Sequence, residues 1–416
     1  MIARGSAGIS RRRLLTGTAG LAGLGLGAAA VGTGCSSSGS APGGRTVEFY
    51  GRHQAGITTP EAAHANYIGL DLIDPAETSA LAGALRLWTE DAARLTRGEP
   101  ALGDPEPELA VAPSKTTVTV GLGPRVFDVP KLAARRPSWL RPLPAFTIDR
   151  LQERWGQTDV LLLIASDDPV ALAHATRILT ASVRTRLRIR WVQRGFRTAR
   201  GTQPDTQTQR NLFGQVDGTE QPDPARNDEL IWDDGAEQPW MAGGTSMVIR
   251  RIAMHMDKWE ELDRGPREQV VGRNLTNGAP LTGTEEHDTP DFTAMRGGIP
   301  VIPPSSHVAR AHRRSDHEQF LRRSYNYDEP PEPRPSLPES GSSFPEPVEG
   351  TPDTSNSGLI FTAFQRDPVR QFVPVQQRLS EHDDLNEWTT PIGSAVYAIL
   401  PGASPQAPLG ASLLGS

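Results

Sequence analysis

Apolar and polar positions divide the chain into two stretches of similar plan. In the first, Thr46–Tyr50 reads as a short strand that runs into Gly51-Arg52-His53-Gln54-Ala55-Gly56-Ile57. Leu81, Leu85, Trp88, Ala92 and Leu95 recur at helical spacing, so one face of an amphipathic helix lies there. Thr116–Val120 alternates and stops at Gly121 and Gly123, as a strand does. Asp159–Ala165 is almost continuously apolar, which suits a strand covered on both faces. Pro169–Ala181 has the helical period, and Arg186–Trp191 alternates again. The order is β-α-β, then β-α-β.

The second stretch repeats this plan more loosely. Thr245–Met254 is a strand, Trp259–Leu262 lies on a helix, Leu359–Phe364 is a strand, Pro368–Leu379 is helical, and Ala395–Leu400 closes the chain as a strand. Two β-α-β-β-α-β halves imply an α+β fold built from a duplicated ferredoxin-like unit. The domains expected are 1–44 as leader and linker, 45–205 as the first unit and 206–416 as the second. Within the second, Glu329–Gly358 is rich in Pro, Glu and Ser and nearly devoid of aliphatic residues, so it reads as a long loop with no core of its own.

Composition narrows the field. With 37% hydrophobic and 22% charged residues in 416, the chain has the makings of a sizeable core. A net charge of -6, with arginine scattered among acidic residues, argues against a nucleic-acid partner. Cys35 is the single cysteine, which excludes an intramolecular disulfide and any cysteine-built zinc or iron–sulfur site.

The N-terminus reads as an address. Arg4, Arg11, Arg12 and Arg13 precede an apolar run, Leu14–Val31, that is diluted by glycines. Ser10-Arg11-Arg12-Arg13-Leu14-Leu15 resembles a twin-arginine export motif. That run sits at the short limit for a membrane span, so export is favoured over an anchor. Gly34-Cys35-Ser36 leaves lipidation at Cys35 open, although Gly32 stands where a lipobox carries an aliphatic residue. Membrane association is expected only if Cys35 is lipidated; otherwise the protein is exported to the periplasm, cell envelope or medium.

Two segments carry the chemistry. One is Asn211-Leu212-Phe213-Gly214-Gln215-Val216-Asp217-Gly218-Thr219-Glu220-Gln221-Pro222; the other is Ser305-Ser306-His307-Val308 with Leu321-Arg322-Arg323. Taken alone, Asp217-Gly218 is a common turn dipeptide and His307 a histidine among arginines. Gly214-x-x-Asp217-Gly218 and the His307 and Arg322 segments nevertheless resemble the signatures of dye-decolourising peroxidases. Arg52–Ile57, Gly121–Pro124, Trp191–Phe196, Val271-Gly272-Arg273 and Ile392–Ala395 extend that likeness over most of the chain, closest to the exported branch that includes iron-uptake-associated members.

The resemblance implies one heme b per chain and a peroxidase that oxidises dyes and phenolics with hydrogen peroxide. The alternatives are release of iron from haem, and non-catalytic haem binding or delivery. Carried over by position, His307 is the axial ligand to the iron and Asp383, or its neighbour Asp384, the acceptor for its other ring nitrogen. Asp217 is the acid–base residue and Arg322 the fixed charge beside it. Gly214 and Gly218 would let the backbone pass close to the porphyrin, and Arg273 would meet a propionate. Ser324 stands at a position that varies among relatives. Tyr325, Tyr327 and Trp388 are candidate electron relays, His312 and His317 read as solvated, and a homo-oligomer is possible.

Overall fold

The first half folds as β-α-β-β-α-β, but with a different opening strand from the one its pattern suggests. In the computed structural model, which describes residues 44–75, 77–204, 207–331 and 355–415, Thr46–Tyr50 forms no strand. The opening strand is β1 (His64–Leu72), buried along almost its whole length. It is paired along both edges and its side chains pack into two separate apolar layers, one on each face, so the alternation that marks a half-exposed strand is missing. Then follow α1 (Thr78–Leu95), β2 (Thr117–Leu122), β3 (Val160–Ser166), α2 (Pro169–Ser182) and β4 (Leu187–Phe196). Asp168 caps α2 by accepting hydrogen bonds from the amides of Val170 and Ala171, at 3.2 and 3.1 Å, with Pro169 at the first helical position.

The second half repeats the unit with β5 (Thr245–Met254), α3 (Arg264–Val271), β7 (Tyr325–Glu329), β8 (Asn356–Gln365), α5 (Phe372–His382) and β9 (Thr389–Ile399). Between α3 and β7 are inserted a short helix, α4 (His307–Ala311), and a two-residue strand, β6 (Leu321–Arg322), that hangs on β8. The leader, Cys35 and residues 332–354 of the Pro-rich stretch lie outside the described residues. Among the described residues, no helix is long and apolar enough to cross a membrane.

Each half has the ferredoxin-like strand order. It is β4-β1-β3-β2 in the first and β9-β5-β8-β7 in the second, antiparallel throughout. The halves join at two seams, Leu122 and Gly121 of β2 facing Ala398 and Ile399 of β9, and Phe196 of β4 facing Asn326 of β7. The result is a closed antiparallel barrel. Gln54 extends the two-pair ladder at the first seam: its amide donates to the carbonyls of Val120 and Leu400, both at 2.8 Å, and its carbonyl accepts from the Val120 amide. That gives the Arg52–Ile57 segment a structural role, which His53 shares by stacking on Trp232 with ring centroids 3.8 Å apart.

Side chains alternate across the barrel wall. On β5, Met247 and Ile249 point into the barrel with Tyr67, Trp191, Tyr325 and Tyr397, while Val248 and Met254 belong to the outer layers. In the first half the outer face is sealed by α1 and α2. Trp88 is fully buried there, and its indole donates to the Leu179 carbonyl at 2.8 Å, tying the two helices together. In the second half the outer face is not sealed.

Candidate active site

A cavity of about 440 Å³ lies on that outer face, between β5, β8 and α5 and beneath the inserted segments. Ile252, Met254, Leu359, Phe361, Val375 and Leu379 give it apolar walls. Phe213 enters from the Asn211–Gln221 loop, stacked on Trp259 with centroids 4.5 Å apart.

His307 opens α4 and lines the cavity. Its Nδ1 lies 2.6 Å from Oδ2 of Asp383, which is 6% exposed at the end of α5. The other carboxylate oxygen accepts the Leu385 amide at 3.0 Å. Burial works against the imidazolium, but the Asp383 carboxylate outweighs it and holds the His307 pKa above its ordinary value. With a carboxylate at Nδ1, the tautomer that carries its proton there leaves a lone pair on Nε2, the form in which histidine binds a metal. The ring keeps 35% of its side-chain surface exposed, and the cavity is where it opens. Asp384 holds the loop instead, accepting from the Ser305 hydroxyl at 2.7 Å and donating its amide to the Ser305 carbonyl at 3.0 Å. Adjacent aspartates thus fix the ring and the segment that carries it.

Asp217 and Arg322 line the same cavity, with Arg322 Nη1 3.6 Å from Asp217 Oδ1. Four neighbours fix this pair. Asn211 donates its side-chain amide to Asp217 Oδ2 at 3.3 Å, and Gln209 accepts the Asp217 backbone amide at 2.9 Å. Gln221 brackets the Arg322 backbone, accepting its N–H at 2.9 Å and donating to its carbonyl at 3.0 Å, as a strand partner would. Arg322 Nη2 also donates to the Glu220 carbonyl at 2.9 Å. Both charges are felt at His307, yet neither side chain bonds to it. The space between is left for something else.

Arg273 follows α3 and lines the cavity, with Nη1 donating to the carbonyls of Gly278 and Glu286 at 2.6 and 2.8 Å. Burial pulls its pKa down, opposed by Glu220 and Glu286, but a guanidinium stays charged at neutral pH. An imidazole presenting Nε2, apolar walls and an anchored cation fit a flat apolar macrocycle that carries a metal and carboxylate tails. These residues fit haem.

The two glycines part company. Gly218 lines the cavity at φ +130°, a conformation that excludes most other residues. Gly214 does not line it. It is exposed, at φ +79° in the turn where its amide bonds the Asn211 carbonyl at 3.0 Å, and a Cβ there would meet nothing within 4 Å. What the structure gives Gly214 is a turn that needs a positive φ. Ser324 is buried outside the cavity, and Tyr325 and Tyr327 fill the barrel interior. Trp388 packs edge-on against Trp259, with centroids 5.5 Å apart. His312 is exposed at the cavity rim beside Phe292, whereas His317 is exposed away from it. Gln209 and Gln221 escaped the sequence reading because they act through backbone groups of distant segments, a role that leaves no local pattern.

Fold and site together define a duplicated ferredoxin-like barrel with a cavity whose lining fits a metal macrocycle. Residues 54–197 match the family described as Dyp-type peroxidase, N-terminal, and residues 208–404 match Dyp-type peroxidase, C-terminal. The chain belongs to the DyP-type peroxidase family, whose cofactor is haem. It is 46% identical to the DyP-type peroxidase from Cellulomonas bogoriensis, whose crystal structure matches with a TM-score of 0.83 over 91% of this chain and 100% of that one. It is 35% identical over 364 residues to a dye-decolorizing peroxidase of Thermobifida fusca, covering 83% of this chain and 80% of the relative. A deferrochelatase of Escherichia coli is 32% identical over 377 residues, with 85% and 84% covered.

Proposed function

We propose that this protein reduces hydrogen peroxide at the cavity between His307 and the Asp217–Arg322 pair, and oxidises organic molecules such as dyes and phenolics in return. The observation that carries this reading is the pairing itself. A haem carrier needs an imidazole and a pocket, but it has no use for a carboxylate braced beside a guanidinium on the same cavity.

His307 through Nε2 and Arg273 at a propionate would hold haem, which would supply the electrons that reduce peroxide and be replenished by electrons from organic substrates. Asp383 keeps the His307 proton on Nδ1 and increases the donor strength of Nε2. The Asp217 carboxylate takes a proton from one peroxide oxygen and delivers it to the other, so that the departing oxygen leaves as water. The Arg322 guanidinium stands where negative charge gathers as the O–O bond breaks. Asn211 and Gln221 hold these two groups in place, and the apolar walls exclude competing water.

Release of iron from haem is the second reading, favoured by the likeness to proteins named deferrochelatase. The absorption spectrum of the haem-loaded protein, before and after one equivalent of hydrogen peroxide, separates the readings. A Soret band that changes rapidly and recovers on adding a dye, with iron retained, supports the peroxidase. A band that ignores peroxide while iron appears in solution overturns it.

We further propose that the Arg11-Arg12 leader directs export by the twin-arginine route, supported by the glycine-diluted apolar run behind it. Replacing both arginines with lysine would leave unprocessed protein in the cytoplasm, and unchanged export would refute that route. Lipidation at Cys35 is tested by mass spectrometry of the exported protein, and self-association by its sedimentation.

A further inference from the structure

The large cavity is walled by the second half with one exception. Among the described residues of the first half, Ile148 alone lines it. Ile148 sits on a strap, residues 146–152, in the connection between β2 and β3, and the strap is fastened to the second half on three sides.

Toward β9, the amides of Arg150 and Gln152 donate to the carbonyls of Pro391 and Ile392 at 3.0 and 2.8 Å, as an added strand would. Toward α5, the Thr147 hydroxyl donates to the Ser380 carbonyl at 2.9 Å, one helical turn before Asp383. Beneath the strap, the two Nη atoms of Arg250 donate to the two carboxylate oxygens of Asp149, one of them at 3.2 Å. Arg250 also donates to the Ser394 hydroxyl at 3.3 Å, and its guanidinium lies over the Phe146 ring, 5.3 Å from the centroid.

This ion pair is buried, with side chains 1% and 9% exposed. Taking two charges out of water costs about as much as their attraction returns, and apolar residues of the same volume often serve stability as well. Apolar residues do not fix direction, whereas a bidentate guanidinium–carboxylate pair holds its partner at one distance and one orientation. Arg250 shares the outer face of β5 with Ile252 and Met254, both in the cavity wall. The strap therefore takes its position from the strand that floors the cavity. Ile148 joins a lining that includes Leu379 and Asp383 at the end of α5 and Pro391 on β9. Its branched side chain is stiff at χ1, so the placing of the strap decides where its methyl groups stand.

We propose that Ile148 is a positioning residue for haem, packing against the bound macrocycle, and that the Arg250–Asp149 pair sets the place of the strap that carries it. The first half thus takes part in seating the cofactor that the second half binds. This rests on haem filling the cavity, and not on the reaction that haem performs there.

The test is the proton NMR spectrum of the cyanide-ligated ferric protein, in which the haem-methyl resonances report how the ring is seated. Ile148→Ala should move those resonances and raise the share of the reversed ring orientation. It should also quicken haem transfer to apomyoglobin about 10-fold, while Ile148→Val, which keeps the branch, should stay within about 4-fold. Asp149→Asn leaves the cavity lining untouched and should move the same resonances in the same direction. The apoprotein of Ile148→Ala should melt close to the original, because the residue acts on haem. Haem-methyl resonances and a transfer rate unchanged in Ile148→Ala would overturn the proposal. So would a lowered apoprotein melting temperature with the haem-methyl spectrum unmoved, since that is a role in the fold alone. Seating is read without peroxide, so the outcome is independent of the peroxidase reading.

Discussion

Asp383→Asn tests the histidine assignment most directly, because the two carboxylate oxygens are committed to different donors. Oδ2 faces His307 Nδ1 at 2.6 Å and Oδ1 accepts the Leu385 amide at 3.0 Å. Asparagine keeps the shape but offers only one acceptor oxygen. If that oxygen serves His307, the new NH2 group faces the Leu385 amide, and a buried donor loses its partner at a cost of about 1–3 kcal/mol. If it serves Leu385 instead, the NH2 group faces Nδ1 and pushes the imidazole proton onto Nε2, the nitrogen that must bind iron. Either way the axial bond weakens. Haem affinity should fall about 10–100-fold, equivalent to about 1.4–2.7 kcal/mol. Haem transfer to apomyoglobin measures the loss, and the iron–histidine stretching frequency of the ferrous protein should drop. Asp384→Asn is the control: its carbonyl can still accept from Ser305, so its affinity should stay within a few-fold of the original. An Asp383→Asn protein with unchanged transfer rate and stretching frequency would refute the assignment.

Asp217→Asn and Arg322→Leu should bind haem normally yet slow the peroxide-dependent change of the Soret band by about 10²–10⁴-fold and 10²–10³-fold; stopped-flow rates that match the original protein would sink both roles. Gln221→Ala removes both braces on the Arg322 backbone. It should reduce the peroxide rate and weaken fluoride binding to the haem-loaded protein, and unaltered fluoride affinity would show that Arg322 keeps its place unaided. Glu318→Gln addresses acid stability. Burial raises the Glu318 pKa, but its hydrogen bond with Arg378 at 2.8 Å outweighs that and depresses it. The pair therefore stabilises the fold above the unfolded pKa, and that contribution is lost as pH falls through the depressed value. The variant should melt lower at pH 7 and lose less on acidification, so parallel melting curves from pH 7 to pH 3 would contradict the sign.

Half-buried elements were legible in the sequence because burial on one side imprints a period. The face of Leu81, Leu85, Trp88, Ala92 and Leu95 is buried along α1. Strands enclosed on both sides leave no such imprint: β1 carries Asn66, Gly69 and Asp71 among its apolar residues and reads as nothing in particular, whereas the alternating Thr46–Tyr50 pairs with no strand. At the site, carboxylate, guanidinium and imidazole draw attention by type, and the structure places Asp217, Arg322 and His307 on one cavity. Asp383 was chosen over Asp384 by family position alone; the structure separates them, since only Asp383 reaches the ring. Gly214 shows an ambiguity of sequence, since a glycine needed for positive φ looks the same there as one needed for clearance.

The duplicated architecture explains why the large apolar cavity lies over the second sheet and not the first. α1 has 18 residues and lays its apolar face across the first sheet, with Trp88 closing the gap to α2. Its counterpart α3 has 8 residues and a single buried one, Val271. That helix is too short to seal the sheet, and Gly272, in the left-handed conformation at φ +85°, ends it and turns the chain toward Arg273. The space released above Ile252, Met254, Leu359 and Phe361 becomes the cavity, and the inserted segments deliver to its rim the groups that a sealed sheet could not use: His307 on α4 and Arg322 on β6. A ligand that packs against these walls and binds only the folded protein adds stability by mass action. The second half is thus incomplete as a fold in the same place where it is equipped as a site, which is why filling the cavity and completing the catalytic centre are one event.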